Sequence, residues 1–421
     1  MASALPAAAS AVGGTAKVPG SKSETNRALV LAALASSPSL LTGVLTSRDS
    51  ELMIHALRRL GTGIEEVAPE TVRVTPPARF HGCRSGIDCG LAGTVMRFVP
   101  PMAALAEGPT RFVGDSHASQ RPMKGLLDGL RQLGVTVTGD ALPLVITPGE
   151  LSPVDLVEID ASASSQFISG LLLVAPRLPG GLRLRATGAV PSRPHISMTI
   201  SMLRSCGVTV TEPDPQSWAV LPGPIAGREA QIEPDLTNAA VFLAAGAATN
   251  GTVAVPGWPS DSLQPGAAFL EIAEAMGCAV THSADQVTVR GPQQLRAIDV
   301  DLHRASELTP VVAALAALAA GTSRITGVSH IRGHETDRLA ALVAELSKLG
   351  VAVTELPDGL EITGGITSSG DVELSSYADH RMAHFAAILA LARPGVSIDD
   401  LGCVAKTMPD FPTRWATLVA A

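Results

Sequence analysis

The sequence predicts an α/β protein made of six related units, arranged as two similar domains of three units each. Two interleaved series of segments, each repeating about every 70 residues, indicate this arrangement. One series consists of almost wholly apolar helices, each preceded by a short polar segment. The other consists of an amphipathic helix, a glycine and two short strands. With 46% hydrophobic and 17% charged residues, the chain has enough apolar material for large cores.

The apolar helices form the first series. It begins with "SETNRALVLAALA" and recurs in segments such as "ASSQFISGLLLVA" and "ADHRMAHFAAILALA". When one anchor residue is chosen in each helix, successive anchors lie 70 to 72 residues apart: Asn26, Met96, Gln166, Asn238, Thr309 and Arg381. Helices with so little polar surface are predicted to be buried on all sides.

The second series is marked by glycines at intervals of 70 or 73 residues: Gly61, Gly134, Gly207, Gly277 and Gly350. A glycine directly after an amphipathic helix is typical of a C-terminal cap in the left-handed conformation. Apolar and polar residues alternate on both sides of a turn in the segments that follow, as in "VAVTELPDGLEITGG". Each glycine is therefore predicted to end a helix and to precede a β-hairpin.

The sixth unit is predicted to form from both ends of the chain. The segment "FPTRWATLVAA" predicts a short C-terminal helix, and the residues up to "GTAKVPG" can supply strands beside it. We therefore expect the termini to meet. One domain is predicted at residues 20–230, and the other combines residues 1–19 with 231–421. The Gly- and Pro-rich stretch 221–230 is predicted to be the second crossing between them.

Composition excludes several classes of protein. A net charge of −8 without a long Lys/Arg run argues against nucleic-acid binding. The five cysteines are odd in number and include no C-x-x-C, which favours reduced thiols over disulfides or a zinc site. The N-terminus lacks a basic segment typical of a secretion signal, and no apolar run is long enough to cross a membrane. We expect a cytoplasmic protein.

Polar residues gather where the buried helices begin. They are Lys22, Ser23 and Arg27; Thr94 and Arg97; Ser164, Ser165 and Gln166; Asp235; Glu307; and Asp379, His380 and Arg381. Ser, Thr and Asp here can be ordinary N-caps. The cations cannot be explained in this way, because the helix dipole disfavours positive charge at an N-terminus. If the two halves face each other, these ends line one cleft that binds anions such as phosphate or carboxylate.

Three further segments are predicted to join this cluster. They contribute Arg121 and Lys124, then Glu335 and Arg338, and finally Lys406. The alternative for Glu335 and Arg338 is a helical i,i+3 pair worth only tenths of a kcal/mol, and a loop arginine is often just a solvated charge. The chain contains no Walker A loop, no G-x-G-x-x-G after a strand, no H-E-x-x-H and no G-x-S-x-G. Nucleotide hydrolysis and nicotinamide chemistry are therefore poorly supported.

The chain resembles the 5-enolpyruvylshikimate-3-phosphate synthase family in "PGSKSETNRALVLAALA", "LAGTVMRF", "QRPMKGLLDGLRQLG", "SSQFISGLL", "RGHETDRL", "DHRMAHFAAI" and "AKTMPDFP". The resemblance implies two domains, each of three repeated βαβαββ units, in an inside-out α/β barrel. It also implies transfer of the enolpyruvyl group of phosphoenolpyruvate (PEP) to the 5-hydroxyl of shikimate 3-phosphate, in the route to aromatic amino acids. No metal or organic cofactor is expected. The protein is expected to be a monomer. Many family members are targets of the herbicide glyphosate, which competes for the PEP site.

The resemblance implies roles for individual residues. Residues 20–230 would bind mainly shikimate 3-phosphate, and the other domain would supply PEP ligands and the catalytic carboxylates. The implied shikimate 3-phosphate ligands are Lys22, Ser23, Arg27, Ser164, Ser165, Gln166, Ser192, Glu307 and His334. The implied PEP ligands are Lys22, Gly93, Arg121, Gln166, Arg338, Arg381 and Lys406. Lys22, Glu307 and Glu335 are the catalytic candidates. Our hypothesis takes Glu307 as the base and Glu335, beside Lys22, as the acid.

Four positions depart from the commonest family pattern. Leu91 stands where Asn is frequent, Glu307 where Asp is frequent, His195 where Tyr is frequent and His334 where Lys is frequent. The His334 contact would make substrate binding depend on pH. Two alternatives stay open: a UDP-N-acetylglucosamine enolpyruvyl transferase and a non-catalytic anion-binding relative. The first typically has a cysteine in the loop before Arg-Pro, whereas residues 107–120 contain none.

Overall fold

The computed structural model describes residues 2–283 and 286–420. The chain folds as two units, each with most of its packing inside itself. The middle unit is the continuous segment Gly20–Ile232, and the split unit combines the N-terminal residues through Pro19 with the chain from Glu233 onward. The observed boundary after Ile232 lies two residues beyond the predicted position 230.

The α-helices in the described part of the chain are α1 (Lys22–Leu34), α2 (Arg48–Arg59), α3 (Gly93–Ala103), α4 (Lys124–Gln132), α5 (Gln166–Val174), α6 (Pro194–Ser205), α7 (Leu236–Ala248), α8 (Phe269–Ala275), α9 (Thr309–Leu318), α10 (Arg338–Lys348), α11 (His380–Ala392) and α12 (Phe411–Ala420). The strands are β1 (Ser3–Ala4), β2 (Gly13–Thr15), β3 (Ser39–Thr42), β4 (Gly63–Ala68), β5 (Thr71–Thr75), β6 (Ile87–Asp88), β7 (Thr110–Val113), β8 (Thr136–Thr138), β9 (Leu144–Thr147), β10 (Val157–Asp160), β11 (Leu182–Thr187), β12 (Val210–Asp214), β13 (Ser217–Val220), β14 (Glu229–Gln231), β15 (Thr252–Pro256), β16 (Ala279–His282), β17 (Gln286–Arg290), β18 (Asp299–Asp301), β19 (Thr322–Thr326), β20 (Ala352–Leu356), β21 (Gly359–Thr363), β22 (Val372–Leu374) and β23 (Val396–Ile398).

Each unit has its own hydrophobic core around three buried helices. In the middle unit α1, α3 and α5 pack against one another, and in the split unit α7, α9 and α11 do so. These are the six helices of the predicted first series. Four of them, α1, α7, α9 and α11, are rich in Ala, so their backbones can approach closely. In all six, each fully buried Leu or Val adds about 1.5–3 kcal/mol to stability. This packing fixes the backbone from which the side chains at the helix N-termini project.

The sheets repeat one pairing scheme, and this confirms the predicted hairpins. The middle unit has sheets ordered β14-β3-β5-β4, β6-β7-β9-β8 and β10-β11-β13-β12. The split unit has β16-β17-β15-β2, β18-β19-β21-β20 and the three-stranded β1-β23-β22. In each four-stranded sheet one pair is parallel, and the two strands after the capping glycine form an antiparallel hairpin. The five marker glycines all have positive φ, between 70° and 103°.

The two ends of the chain meet in the split unit, as predicted. Strand β2 pairs in parallel with β15, and β1 pairs with β23 in the antiparallel sense. The guanidinium of Arg414 on α12 donates a hydrogen bond to the carbonyl of Lys17 at 2.8 Å. The N-terminal strands and the C-terminal helix therefore complete the sixth repeat.

The Gly- and Pro-rich stretch 221–230 is packed against the middle unit rather than crossing between domains. Ser36 donates its N–H to the carbonyl of Ile225 at 2.8 Å, and Ala226 donates to Cys206 at 2.9 Å. The stretch then leads into β14, which pairs in parallel with β3. The Gly and Pro content predicted a crossing here, but the stretch leads into β14, whose pairing depends on a strand almost 190 residues earlier. No helix among the described residues is both long and apolar enough to span a bilayer.

Candidate active site

Lys22 is the first residue of α1 and has a carboxylate partner that sequence analysis missed. Its ammonium lies 3.5 Å from Oδ2 of Asp49, a residue only 2% exposed in the first turn of α2. The capping box of Ser47 and Ser50 fixes that turn. An acidic residue in a first turn is usually explained by the helix dipole alone, so the sequence offered no specific signal for Asp49. The pair holds the Lys22 ammonium at the N-terminus of a buried helix.

Arg27 is almost completely buried and is held by several neutral groups. Its Nε donates to the hydroxyl of Thr199 at 2.7 Å, and its Nη1 donates to the carbonyl of Ser23 at 2.9 Å. Nη2 donates to the carbonyl of His195 at 3.2 Å, and the guanidinium lies 5.1 Å from the centre of the Phe98 ring. His195 thus contributes its backbone to Arg27. The contacts fix the charge in place, which lowers the entropy lost when an anion binds.

Two guanidinium groups converge on the N-terminus of α3. Arg97 is buried and donates to the carbonyls of Pro122 at 2.9 Å and Gly93 at 3.4 Å. Arg121 donates to the carbonyl of Leu91 at 3.0 Å. The departure at Leu91 therefore leaves the contact with Arg121 intact, because the backbone makes it. Arg121 is half-buried against this helix start and is not the solvated loop charge of the alternative interpretation.

Lys124 was wrongly placed in this cluster. Its side chain is 77% exposed and forms an ion pair with Asp128, one turn further along α4. The i,i+4 spacing on an amphipathic helix explains the pair, which contributes only tenths of a kcal/mol.

Gly93 gives the two guanidiniums the space they need. A Cβ added at this position would lie 3.0 Å from Nη1 of Arg97 and 3.1 Å from Nη2 of Arg121. Gly93→Ala is expected to leave the fold intact, because Ala suits the first turn of a helix, and to displace both guanidiniums by a few tenths of an ångström. We expect KM for an anionic substrate held there to rise about tenfold, the cost of weakening one charge-assisted hydrogen bond. Steady-state kinetics measures this, and an unchanged KM would show that the space is not needed.

The remaining predicted residues of the middle unit lie at the starts of α5 and α6. The hydroxyl of Ser164 accepts the N–H of Gln166 at 3.2 Å, and Ser165 is the N-cap residue of α5. Ser192, two residues before α6, is buried and has φ of +48°, which is unusual for a residue other than glycine. Such strained positions cluster at ligand sites.

The split unit contains a buried network of carboxylates and cations. Arg338 donates from Nη2 to Oε2 of Glu335 at 2.7 Å and from Nε to Oδ2 of Asp379 at 2.7 Å. Lys406 donates to the other oxygen of Glu335. Side-chain exposure is 9% or less for all four groups. Glu335 and Arg338 are therefore not the isolated i,i+3 pair of the alternative interpretation, because each also pairs with a third group, Lys406 or Asp379.

The carboxylates of this network keep the Arg338 guanidinium positively charged. Burial alone would disfavour a charged Arg338, but the carboxylates of Asp379 and Glu335 raise its pKa. His334 also lies here, with Nδ1 2.9 Å from Nη1 of Arg338. One network thus joins the predicted residues His334, Glu335 and Arg338. Lys406 belongs to it as well, although 71 residues separate Lys406 from Glu335.

Arg381 and Glu307 lie at the starts of neighbouring buried helices. Asp379 accepts the backbone N–H of Arg381 at 2.9 Å, and Arg381 donates to the carbonyl of Glu307 at 3.3 Å. Burial, followed by the charge of Arg338, lowers the pKa of Arg381. The turn that carries Glu307 is held by Ser306, whose hydroxyl lies 2.9 Å from Nε2 of His330. Arg338 and Arg381 are both positively charged and repel each other in this buried setting, and an anion bound between them would relieve that repulsion.

The family profile of EPSP synthase (3-phosphoshikimate 1-carboxyvinyltransferase) matches residues 6–415. The chain belongs to the EPSP synthase family. It is 51% identical over 425 residues to a 3-phosphoshikimate 1-carboxyvinyltransferase of Kocuria rhizophila, covering 98% of this chain and 95% of that protein. The family assignment and the predicted fold class are confirmed.

Solved structures agree with this EPSP synthase fold. EPSP synthase from Acinetobacter baumannii superposes with a TM-score of 0.82 at 25% identity, covering 99% of this chain and 97% of that one. The enolpyruvyl transferase NikO from Streptomyces tendae superposes with a TM-score of 0.79 at 19% identity, covering 99% and 98%. The second likeness supports the fold alone.

His384 links the buried helix α11 to a prediction about acid stability. Burial, followed by the charge of Arg381, lowers the pKa of His384 to about 3. In the unfolded chain the pKa is about 6.5, so the unfolded state binds more protons below that pH. The stability that neutral His384 provides is complete above pH 6.5 and decreases as the pH falls towards 3. We expect a loss of about 2 kcal/mol between pH 7 and pH 5.

The measurement is denaturant unfolding at several pH values in the wild type and in His384→Gln. The variant should lack this part of the pH dependence, whatever its absolute stability. His55→Gln, at an exposed position on α2, serves as the control and should keep the wild-type slope. Equal slopes in all three proteins would contradict the prediction.

Proposed function

We propose that this chain is a 3-phosphoshikimate 1-carboxyvinyltransferase. It transfers the enolpyruvyl group of PEP to the 5-hydroxyl of shikimate 3-phosphate and releases phosphate. The observation that supports this best is the buried Glu335–Arg338–Asp379–Lys406 network in a chain matched to the EPSP synthase family along almost its whole length. The network combines fixed cations with a carboxylate that can move protons, and the reaction requires both.

Shikimate 3-phosphate is assigned mainly to the middle unit. Arg27, with its charge fixed by hydrogen bonds and by the Phe98 ring, suits a phosphate or a carboxylate group. The other proposed ligands in this unit are Lys22, Ser23, Ser164, Ser165, Gln166 and Ser192, and those in the split unit are Glu307 and His334.

PEP carries a phosphate and a carboxylate, so its site needs several cations. In the split unit we assign Arg338, Arg381 and Lys406, and in the middle unit Lys22, Gly93, Arg121 and Gln166. Arg338 keeps its position through Asp379 whether or not Glu335 changes its protonation. Binding energy can therefore be used at the reacting carbon without reorganising this group.

The reaction proceeds by addition and then elimination. Glu307 removes the proton of the 5-hydroxyl, and the oxygen attacks C2 of PEP while C3 gains a proton. We assign that proton to Glu335, acting with Lys406, because the two are joined by a direct hydrogen bond along which a proton can pass. In the elimination the bond from C2 to the phosphate oxygen breaks and its electron pair leaves with the phosphate. The Glu335 carboxylate takes back a methyl proton, which restores the double bond. The cations, Lys22 among them, stabilise the charge that develops on the intermediate and on the leaving phosphate.

The test is phosphate release from PEP with shikimate 3-phosphate, and in parallel with UDP-N-acetylglucosamine. Release only with shikimate 3-phosphate is expected. Release only with the nucleotide sugar would mean that the acceptor is wrong, and release with neither would contradict an enzymatic function. The cytoplasmic location and the monomeric state stay predictions, and light scattering coupled to size-exclusion chromatography tests the second.

A further inference from the structure

The segment just before α11 has an unusual backbone. Tyr377 and Ala378 both have φ of +54°, in the left-handed region that residues with a Cβ rarely adopt. Two such residues in succession are unfavourable unless their surroundings hold them. The next three residues are Asp379, His380 and Arg381, so the strain lies directly ahead of the groups that hold Arg338 and the Glu307 turn.

A completely buried carboxylate on α10 holds this segment. Glu345 accepts the phenol hydroxyl of Tyr377 at 2.6 Å through Oε1, and the N–H of Ser375 at 2.9 Å through Oε2. From the other side, Asp399 accepts the N–H of Ser376 at 2.8 Å. A charged acceptor makes each of these hydrogen bonds stronger than a neutral one.

Helix α10 contacts the segment at two points. Glu345 follows Arg338 by seven residues, which is two helical turns, so both side chains leave the same face. Glu345 holds Ser375 and Tyr377, and Arg338 holds Asp379. The left-handed residues Tyr377 and Ala378 directly precede Asp379. Their conformation therefore decides whether Glu345 and Arg338 can both reach their partners.

We propose that the hydrogen bond between Tyr377 and Glu345 positions Asp379 and Arg381, and so determines how well the split unit holds PEP. This inference rests on the proposed function, and it makes Tyr377 a positioning residue that acts through Asp379 and Arg381. Loss of the phenol hydroxyl lets the segment leave the left-handed conformation. The population in which Arg338 and Arg381 are both correctly placed then falls, and the apparent affinity falls with it.

Tyr377→Phe tests the proposal, because it removes one hydroxyl and keeps the ring. We expect KM for PEP to rise about tenfold, the value of one hydrogen bond to a charged group. KM for shikimate 3-phosphate should rise less, because most of its proposed ligands lie in the middle unit. The matched control is Ser347→Ala on the same helix, which removes a hydroxyl bonded to the carbonyl of Val343 at 2.7 Å outside the segment. It should change neither constant. An unchanged KM for PEP in Tyr377→Phe, or an equal rise in both constants, would overturn the proposal.

A double-mutant cycle separates this bond from a general loss of packing. Glu345→Leu keeps roughly the volume of the side chain and removes both accepting oxygens. If the two residues act through their hydrogen bond, the double variant should be no worse than Glu345→Leu alone. Effects on KM for PEP that multiply would show that each residue acts by another route and would refute the assignment.

A spectroscopic readout keeps the proposal testable even if the wild type shows no enolpyruvyl transfer. Tyr377 is the single tyrosine of the chain, so absorbance at a phenolate wavelength reports on it alone. Tyr377 is 39% exposed, and its partial burial, followed by the Glu345 carboxylate, raises its pKa to about 12. Glu345→Gln should shift the titration to lower pH, and Ser347→Ala should not. An unshifted titration would exclude the bond itself, whereas a shifted titration without activity would contradict only the proposed reaction.

Discussion

Replacing Asp379 with alanine is expected to cost about 3–5 kcal/mol of the free energy of unfolding, the range for breaking a buried ion pair from one side. Arg338 is 1% exposed, and Asp379 accepts hydrogen bonds from its Nε and Nη2 at 2.7 and 3.2 Å. Without the carboxylate a buried guanidinium keeps only part of its compensation. Asp379 also caps α11 by accepting the N–H of Arg381, and loss of a cap costs about 1 kcal/mol. Denaturant unfolding followed by circular dichroism measures the total.

Two further variants make this result interpretable. Asp410→Ala breaks an ion pair with Arg414. The Asp410 carboxylate is 51% exposed, so this substitution should lower the free energy of unfolding by less than about 1 kcal/mol. Asp379→Asn can still cap the helix but loses the charge, so it should fall between the wild type and the alanine variant. A loss below about 1 kcal/mol for Asp379→Ala would mean that Glu335 alone compensates Arg338.

Features set by short stretches of chain could be predicted from the sequence. The positive φ of Gly61 or Gly350 follows from a glycine placed directly after an amphipathic helix. The buried helices follow from runs of apolar residues, and the repeat spacing follows from counting them. These signals lie within a few residues of one another, so tertiary packing does not need to be known.

The site could be predicted only in part, because its ion pairs join distant segments. Arg338 and Asp379 are 41 residues apart, and Glu335 and Lys406 are 71 apart. The sequence placed cations at helix N-termini and predicted an anion to compensate them. It did not reveal that Asp49 and Asp379 supply part of that compensation, since an acidic residue at an N-cap or in a first turn is common in any protein.

Lys124 shows the opposite error. Its place beside Arg121 in a basic segment suggested a shared role, but it belongs to the exposed face of α4 and pairs with Asp128. The direction of a side chain on a helix changes by about 100° per residue. Two cations three residues apart, with a turn and a helix start between them, therefore need not serve the same site.

Glu335→Gln is expected to lower kcat by a factor of about 10²–10⁴, the usual contribution of a positioned acid or base. Glutamine keeps one oxygen for Lys406 or Arg338 but cannot deliver a proton. Arg338 retains Asp379, so we expect the fold to survive and KM for PEP to change much less than kcat. Glu307→Gln should lower kcat by a similar factor if Glu307 removes the hydroxyl proton. Steady-state kinetics with both substrates varied measures these effects.

Glu361→Gln, on the exposed face of β21, is the matched control and should leave both constants unchanged. The ratio of the two effects then decides how the proton work is divided. If Glu335→Gln mainly raises KM for PEP at nearly normal kcat, its carboxylate only holds Lys406 and Arg338 in place, and Lys22 or Lys406 becomes the proton donor. If Glu307→Gln keeps nearly normal kcat, the hydroxyl proton leaves by another group, and the base must be sought among the residues that contact Lys22, with Asp49 first.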